Sequence, residues 1–405
     1  MPSLKIGKLN KTLRPALEHP CQRVYMSISS EGYGHSTRAI AIAQQLQRLG
    51  DNPVLIGTYG YAFDRVEQFG LPCVQVPQEI KFVGEQGCFD MGKTLFENQS
   101  RAFAFNQMVQ FEVDIIKHYN ISLVVADGRL APVLAAARLD IPCVVLTNQS
   151  AFYPFFAKDS PFLQVIGHSF EWVMKFFLSS AEEILIPDFP PPHTVCLPNL
   201  STNYQVKKRT RFVGPLLTFN PDSVVPMERT NPQAPLVVAS LGGHSYRRPL
   251  FDALMHVARQ SPEVQFWVMT PFEMALVPPN VRLFTDVMDA ASLFKAADLV
   301  ITQGGHSTAM ELLSLGVPSL VVPDLHQIEQ ENNARRLVSL GVSESVSYEQ
   351  LQADPLILKR YMDDMLGLPS YRQHAEQLAE ESRKLNGAQT TAHMLLHYAS
   401  RLLAY

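Results

Sequence analysis

The chain has 405 residues, of which 46% are hydrophobic and only 18% charged, a balance that excludes intrinsic disorder and provides enough chain for two domains. Its net charge of −4 offers no basic field for nucleic acid, and its five cysteines are scattered without CxxC or metal-ligand spacing, as expected of a reduced, cytoplasmic protein. Residues 1–23 carry scattered charges and no apolar core, and no run reaches the ~18 apolar residues of a membrane span, so neither a signal peptide nor a transmembrane helix is expected.

The first ordered signal is VYMSISS (24–30), an apolar strand that runs into the glycine-containing turn EGYGH (31–35). The helix STRAIAIAQQLQRLG (36–50) follows, with Ile40, Ala43, Leu46 and Leu49 at helical spacing and Gly50 at the C-cap position. PVLIGTY (53–59), PCVQVP (72–77), SLVVADG (122–128) and PCVVLTN (142–148) read as further strands, with a helix over 131–139. Aromatic residues crowd 151–177, among them Phe152, Tyr153, Phe170, Trp172, Phe176 and Phe177. Core packing accounts for them, and so does an apolar acceptor groove or a membrane-leaning face.

The proline-rich stretch 216–235 has no period and reads as a linker. The opening pattern then restarts: PLVVASLGGHSYRRPLFDALMHVA (235–258) is again strand, glycine turn and helix, followed by strands over 264–270, 281–286, 298–305 and 318–324. Apolar strands alternating with amphipathic helices predict α/β class, with two doubly wound parallel sheets built alike. The predicted division is an N-terminal domain over 1–215, a C-terminal domain over 236–369, and a helical tail over 370–405 that packs back across the junction.

In open parallel sheets ligands bind beyond the carboxyl ends of the strands, and the loops 31–36, 127–129, 242–247 and 303–308 have that position. Gly304 and Gly305 allow a tight turn, after which His306, Ser307 and Thr308 open a helix whose free N–H groups suit a phosphate. Glu311 lies one turn further in, placed to accept the two hydroxyls of a ribose. Glu329, Gln330 and Asn333 begin the helix after the next strand, and carboxylate and amide groups together are what polyol recognition needs. A plain tight turn and a solvated helix face would explain these pieces singly. Neither explains why both loops follow consecutive strands. Gly-His-Ser recurs at 34–36, 167–169, 243–245 and 305–307, three times at glycine turns before helices, so turn chemistry accounts for it better than a shared histidine site.

The order GG-x-x-T-x-x-E, G-V-P, P, acid-Gln-x-x-N-A from Gly304 to Ala334 resembles the donor-binding motif of GT-B glycosyltransferases that use nucleoside diphosphate sugars. Within Gly305–Glu311 the spacing is most similar to the lipid-linked GlcNAc transferase of peptidoglycan synthesis and the galactolipid synthases. Gly32-Tyr33-Gly34-His35-Ser36-Thr37-Arg38 resembles the family's G-x-G-H-x-x-R loop. The resemblance covers most of 24–398 and implies a GT-B fold and an inverting, metal-independent transferase without a cofactor, with UDP as the nucleotide. Its donor would be a nucleoside diphosphate sugar, and its acceptor a small molecule or a lipid-linked one reached by peripheral membrane contact.

Carried onto this sequence, the resemblance implies that Glu311 holds the ribose. The amides of Gly305, His306, Ser307 and Thr308, helped by Gly242 and Gly243, would hold the diphosphate. Glu329 and Gln330 would meet the sugar hydroxyls, and Asn333 would brace the loop. Two positions depart from the pattern: Gln303 stands where many small-molecule glucosyltransferases have a histidine, and Glu329 where Asp is commoner. His35 follows a strand and a glycine turn, and an imidazole with an ordinary pKa near 6.5 can take an alcohol's proton, so it is the expected general base. Asp127, at the end of a strand in the same sheet, is expected to orient it. A helix cap and a helix-start acid are the structural alternatives for the pair. A sugar-nucleotide epimerase and a non-catalytic nucleotide-sugar-binding protein are the rival functions.

Overall fold

The apolar runs form strands buried on both faces, which is why they read as continuous rather than alternating. In the computed structural model, residues 23–50, 53–85, 87–156, 161–242, 247–285, 287 and 289–401 are described. The strands are β1 Val24–Ile28, β2 Val54–Thr58, β3 Cys73–Gln75, β4 Gly84–Glu85, β5 Cys88–Phe89, β6 Leu123–Asp127, β7 Cys143–Leu146, β8 Glu183–Ile186 and β9 Thr210–Phe212. There follow β10 Leu236–Ser240, β11 Gln265–Met269, β12 Val281–Phe284, β13 Leu299–Thr302, β14 Ser319–Val321 and β15 Ser343–Ser345.

Two parallel sheets result. The first has the order β3-β2-β1-β6-β7-β8-β9 and the second β12-β11-β10-β13-β14-β15. In the first sheet the chain runs outward from β1 through β2 and β3, then returns to pair β6 with the other side of β1, in the register Ile28↔Asp127. In the second sheet β10 and β13 stand in the same relation, with Ser240 opposite Thr302. Each sheet therefore has its topological switch point between these two strands, the place where a parallel sheet opens a crevice for a ligand. One apolar core covers each face of the first sheet and others cover the second.

Between the sheets, residues 217–235 carry no strand or helix, and Arg229 ties this stretch to Asp298 at 2.9 Å. The helix Pro369–Leu385 packs on the helix His306–Leu315 beside the second sheet, joined by a Ser314–Ser382 bond of 2.7 Å. The helix Gly387–Arg401 then packs on the helix Tyr33–Arg48 beside the first, burying Ala388, Ala392, Leu395 and Ala399.

Five short strands, β4, β5, β8, β9 and β15, are not among those expected; β8 (Glu-Ile-Leu-Ile) does carry an apolar run, whereas β15 (Ser-Glu-Ser) has none. The first helix also begins earlier than its sequence suggests: Gly32, with φ 96°, is the N-cap, and Tyr33 starts the helix. Gly34 and His35 thus lie in the first helical turn rather than in a loop before it. The helix Pro161–Ser180 divides its aromatic residues between core and surface. Phe177 and Leu178 are buried, whereas Trp172 is 71% and Phe176 56% exposed. Core packing alone does not account for this segment. Among the described residues no helix is long and apolar enough to cross a membrane.

Candidate active site

The two switch points face each other. Gly34, in the first turn after β1, lies so close to Ser307, in the first turn after β13, that a Cβ on Gly34 would overlap the Ser307 hydroxyl. Two helices thus meet start to start. Neither has a side-chain cap nor an acidic residue in its first turn, so two positive dipole ends and their unpaired N–H groups converge on one cleft. Two positive helix ends facing one another favour an anion between them.

On the first sheet's side, His35 Nδ1 lies 2.8 Å from Asp127 Oδ1. Arg38, one turn along the helix, grips the same carboxylate through Nε (3.0 Å) and Nη2 (2.7 Å). Burial alone would raise the Asp127 carboxyl, but the charges and hydrogen bonds of Arg38 and His35 outweigh it and hold the group at about 2. Arg38 Nη2 also lies 3.0 Å from His35 Nδ1. Where the neutral ring donates to the carboxylate, which only accepts, Nδ1 carries the proton and Nε2 the lone pair. The ring is 21% exposed and Asp127 1%, so of the pair only His35 reaches solvent. Gly128, with φ +70°, passes along the ring edge: a Cβ there would stand 2.7 Å from His35 Cε1, so any side chain would displace the imidazole. Behind the turn, Glu79 accepts from the backbone N–H groups of Leu130 (2.7 Å) and Ala131 (3.2 Å). Arg129, paired with Glu79 at 3.1 Å and Glu112 at 2.8 Å, anchors the same segment.

On the second sheet's side, Gly304 (φ +79°) and Gly305 lead into the helix beginning at His306, and Gly242 (φ +62°) follows β10. Gly243 lies outside the described residues. Gln303 is buried at the end of β13, and its Nε2 has no hydrogen-bond partner among the described residues. Thr308 and the half-buried Glu311 occupy the helix's first two turns. Burial lifts the Glu311 carboxyl to about 7, against the pull of Arg65 from the opposite side of the cleft.

The histidines of the two Gly-His-Ser turns part company here. His306 turns away from the cleft, and its Nε2 lies 3.0 Å from Asp188 Oδ2. Burial acts to raise the Asp188 carboxyl, yet the bonds and charge of His306 and the N–H of Cys196 hold it below the usual range. Folding brings Asp188, Cys196 and His306 within metal-ligand distance of one another, a set that sequence spacing conceals. The Asp188 oxygens also accept from the N–H groups of Phe189 (2.7 Å), Val195 (3.2 Å) and Cys196 (2.7 Å), so the carboxylate is committed to hydrogen bonding.

The residues expected to meet a sugar divide in the same way. Gln330 spends its amide on Asp324, accepting from its N–H at 2.8 Å and donating to its carboxylate at 3.2 Å. In this structure those two bonds brace the loop. Asn333 donates to the Gly304 carbonyl at 3.0 Å, joining the two loops. Glu329 is half-buried and accepts from Asn148, beyond β7 of the first sheet, at 2.7 Å. Arg38 closes the G-x-G-H-x-x-R stretch read from the sequence, three residues after His35, whereas nothing in the sequence singles out Arg65, which acts on Glu311, or Asn148, which meets Glu329.

Residues 258–393 match the glycosyltransferase family 28 C-terminal domain, and residues 22–193 match glycosyl transferase family 1. An uncharacterized glycosyltransferase of Methanosarcina acetivorans is 30% identical over 380 residues, covering 92% of this chain and 97% of that one. The UDP-N-acetylglucosamine–N-acetylmuramyl-(pentapeptide) pyrophosphoryl-undecaprenol N-acetylglucosamine transferase 1 of Bacillus cereus is 25% identical over 362 residues, 85% of this chain and 90% of its own. Among solved structures, the calicheamicin glycosyltransferase CalG4 superposes with a TM-score of 0.70 at 18% identity, covering 94% of this chain and 99% of that one. The spinosyn rhamnosyltransferase SpnG complexed with thymidine diphosphate gives 0.65 at 19% identity, covering 92% of this chain and 100% of its own. The chain belongs to the glycosyltransferases and has their two-domain GT-B fold.

Proposed function

We propose that the protein transfers a sugar from a nucleoside diphosphate sugar, with UDP as the nucleotide, to an acceptor hydroxyl with inversion at the anomeric carbon. The observation that carries this reading is the convergence of His35, backed by Asp127, with the uncapped start of the helix His306–Leu315 across one cleft. Glu311 accepts from the ribose hydroxyls, and the first-turn amides from Gly305 to Thr308 hold the diphosphate together with the loop after β10. Gln303, whose Nε2 has no hydrogen-bond partner among the described residues, directly precedes the Gly304–Gly305 turn of the same phosphate site. Glu329 meets the sugar.

The acceptor oxygen attacks the anomeric carbon from the face opposite the diphosphate. As the new C–O bond forms, the hydroxyl proton passes to His35 Nε2 and the bond to the diphosphate oxygen breaks. Asp127 stabilises the imidazolium. The helix terminus meets the charge developing on the leaving group, the role a divalent cation would otherwise fill. The exposed face of Val165, Trp172 and Phe176 on the first sheet's side supports an apolar or lipid-linked acceptor met at a membrane surface. The lipid-linked substrate named for the Bacillus cereus relative points the same way.

A thermal-unfolding screen with UDP, GDP, TDP and their sugars tests the donor class. A ligand present at ~100 times its Kd adds about 2.7 kcal/mol of stability. Stabilisation by UDP and UDP-sugars above the other nucleotides is expected. The absence of any shift would overturn the proposal.

A further inference from the structure

We infer that Asn148 is the positioning residue that aims Glu329 at the donor sugar, so that sugar selectivity is assembled only when the two halves of the molecule meet. The inference rests on the proposed reaction, in which Glu329 faces that sugar. Asn148 stands two residues beyond β7, is 9% exposed, and donates through Nδ2 to Glu329 Oε1 at 2.7 Å. The other side-chain donor to Glu329 among the described residues is Asn333 Nδ2, which reaches the same oxygen at 3.5 Å and makes its closer bond, 3.0 Å, to the Gly304 carbonyl. Both contacts fall on Oε1, so Oε2 is left to accept from a ligand hydroxyl.

A glutamate at the edge of a cleft samples several rotamers, and a charge-assisted hydrogen bond of this length selects one of them. That bond comes from the opposite sheet, so an open cleft leaves the carboxylate unaimed. The neighbouring amide behaves differently. Asn199 donates to Asn333 Oδ1 at 3.1 Å and accepts from Asn332 Nδ2 at 2.6 Å, so it ties amide to amide across the junction. Asn148 instead ends on a carboxylate whose second oxygen takes neither of these bonds. Its chemistry also suits a positioning role, since a neutral amide orients the carboxylate without cancelling its charge, whereas a lysine or arginine would compete with the sugar hydroxyls.

The test is calorimetric titration of the full chain with UDP, UDP-glucose, UDP-galactose and UDP-N-acetylglucosamine. Wild type is compared with Asn148→Ala, Glu329→Ala and the pair Asn148→Gln with Glu329→Asp, which adds a methylene on one side of the bond and removes one on the other. Asn148→Ala should leave UDP affinity within about twofold and reduce discrimination among the three sugars by about 10-fold, the scale of a lost hydrogen bond to a charged group. Glu329→Ala should do the same, and the reach-conserving pair should recover discrimination relative to either of its single changes. If Asn148→Ala keeps wild-type discrimination while Glu329→Ala loses it, the inference is wrong and the role of Glu329 stands. If Glu329→Ala also keeps it, or wild type does not discriminate, both fall. Equal weakening of UDP and all three sugars by Asn148→Ala would make Asn148 a structural contact and overturn the inference.

Discussion

His35 and Glu311 open onto one cleft, yet their neighbours give them opposite roles. His35 is held by a carboxylate that Arg38 keeps ionised, and in the proposed reaction its Nε2 takes the acceptor's proton. The two nearby acids are less suited to that step. Asp127 is buried and committed at about 2, and Glu31 already accepts from Gln78 at 2.7 Å and from the N–H of Phe82 at 3.2 Å. Burial raises the Glu311 carboxyl from 4.5 to about 7, so below that value it is held protonated in the folded protein. Protonation favours the folded protein, because the site then holds a proton that the unfolded chain releases. That contribution is fully present below pH 4.5 and is lost as pH rises through about 7. In the proposed reaction the ribose is held by the anion. Affinity for UDP-glucose, whose phosphates do not titrate in this range, should therefore rise between pH 6 and 8, by at most ~10-fold per unit. Calorimetry across that range should show the slope in wild type and a flat profile in Glu311→Gln. A flat wild-type profile would remove Glu311 from the ribose contact.

At the scale of elements, the long apolar strands and both glycine turns were legible because each carries a local pattern: a buried parallel strand is continuously apolar, and a ligand-end turn needs small residues. His35, after a glycine turn, and Asp127, at a strand end, were both expected at the ligand end of one sheet, and the pairing of β1 with β6 brings them together. What was not legible came from residues remote in sequence. Asp188, Cys196 and His306 converge only once the sheets face each other, and Asn148 meets Glu329 across 181 residues of chain. Gln330 looked like a sugar ligand because its type and place fit, but the sequence does not record that Asp324 takes its amide. The helix Pro161–Ser180 was ambiguous for the same reason, because aromatic content is identical for a core helix and a docking face. Its exposed Trp172 and Phe176 give a direct test. Replacing both with Glu should change stability by no more than about 0.5 kcal/mol per site, as for surface positions. Sedimentation with lipid vesicles should drop, and so should turnover of lipid-linked acceptors. Vesicle binding that survives the double change would assign this face to something other than lipid.

The whole molecule is one architecture used twice, with switch points turned toward each other and the C-terminal helices lying across both halves. The hairpin of β4 and β5 adds a strap between them, through backbone bonds of 2.8 Å from Phe89 to Leu325 and from Leu325 to Gly87. In the proposed reaction the donor contacts and the base sit on different halves, so the two functions should separate on mutation. The measurement that tests this most directly is turnover of a UDP-sugar in EDTA by wild type and by His35→Ala, alongside UDP affinity for each. Wild type should remain active without metal. His35→Ala should lose ~10²–10⁴-fold in turnover, the usual contribution of a general base, while its UDP affinity stays within about twofold. A variant that keeps more than about a tenth of wild-type turnover, or a wild type that requires Mg²⁺ or Mn²⁺, would contradict the account.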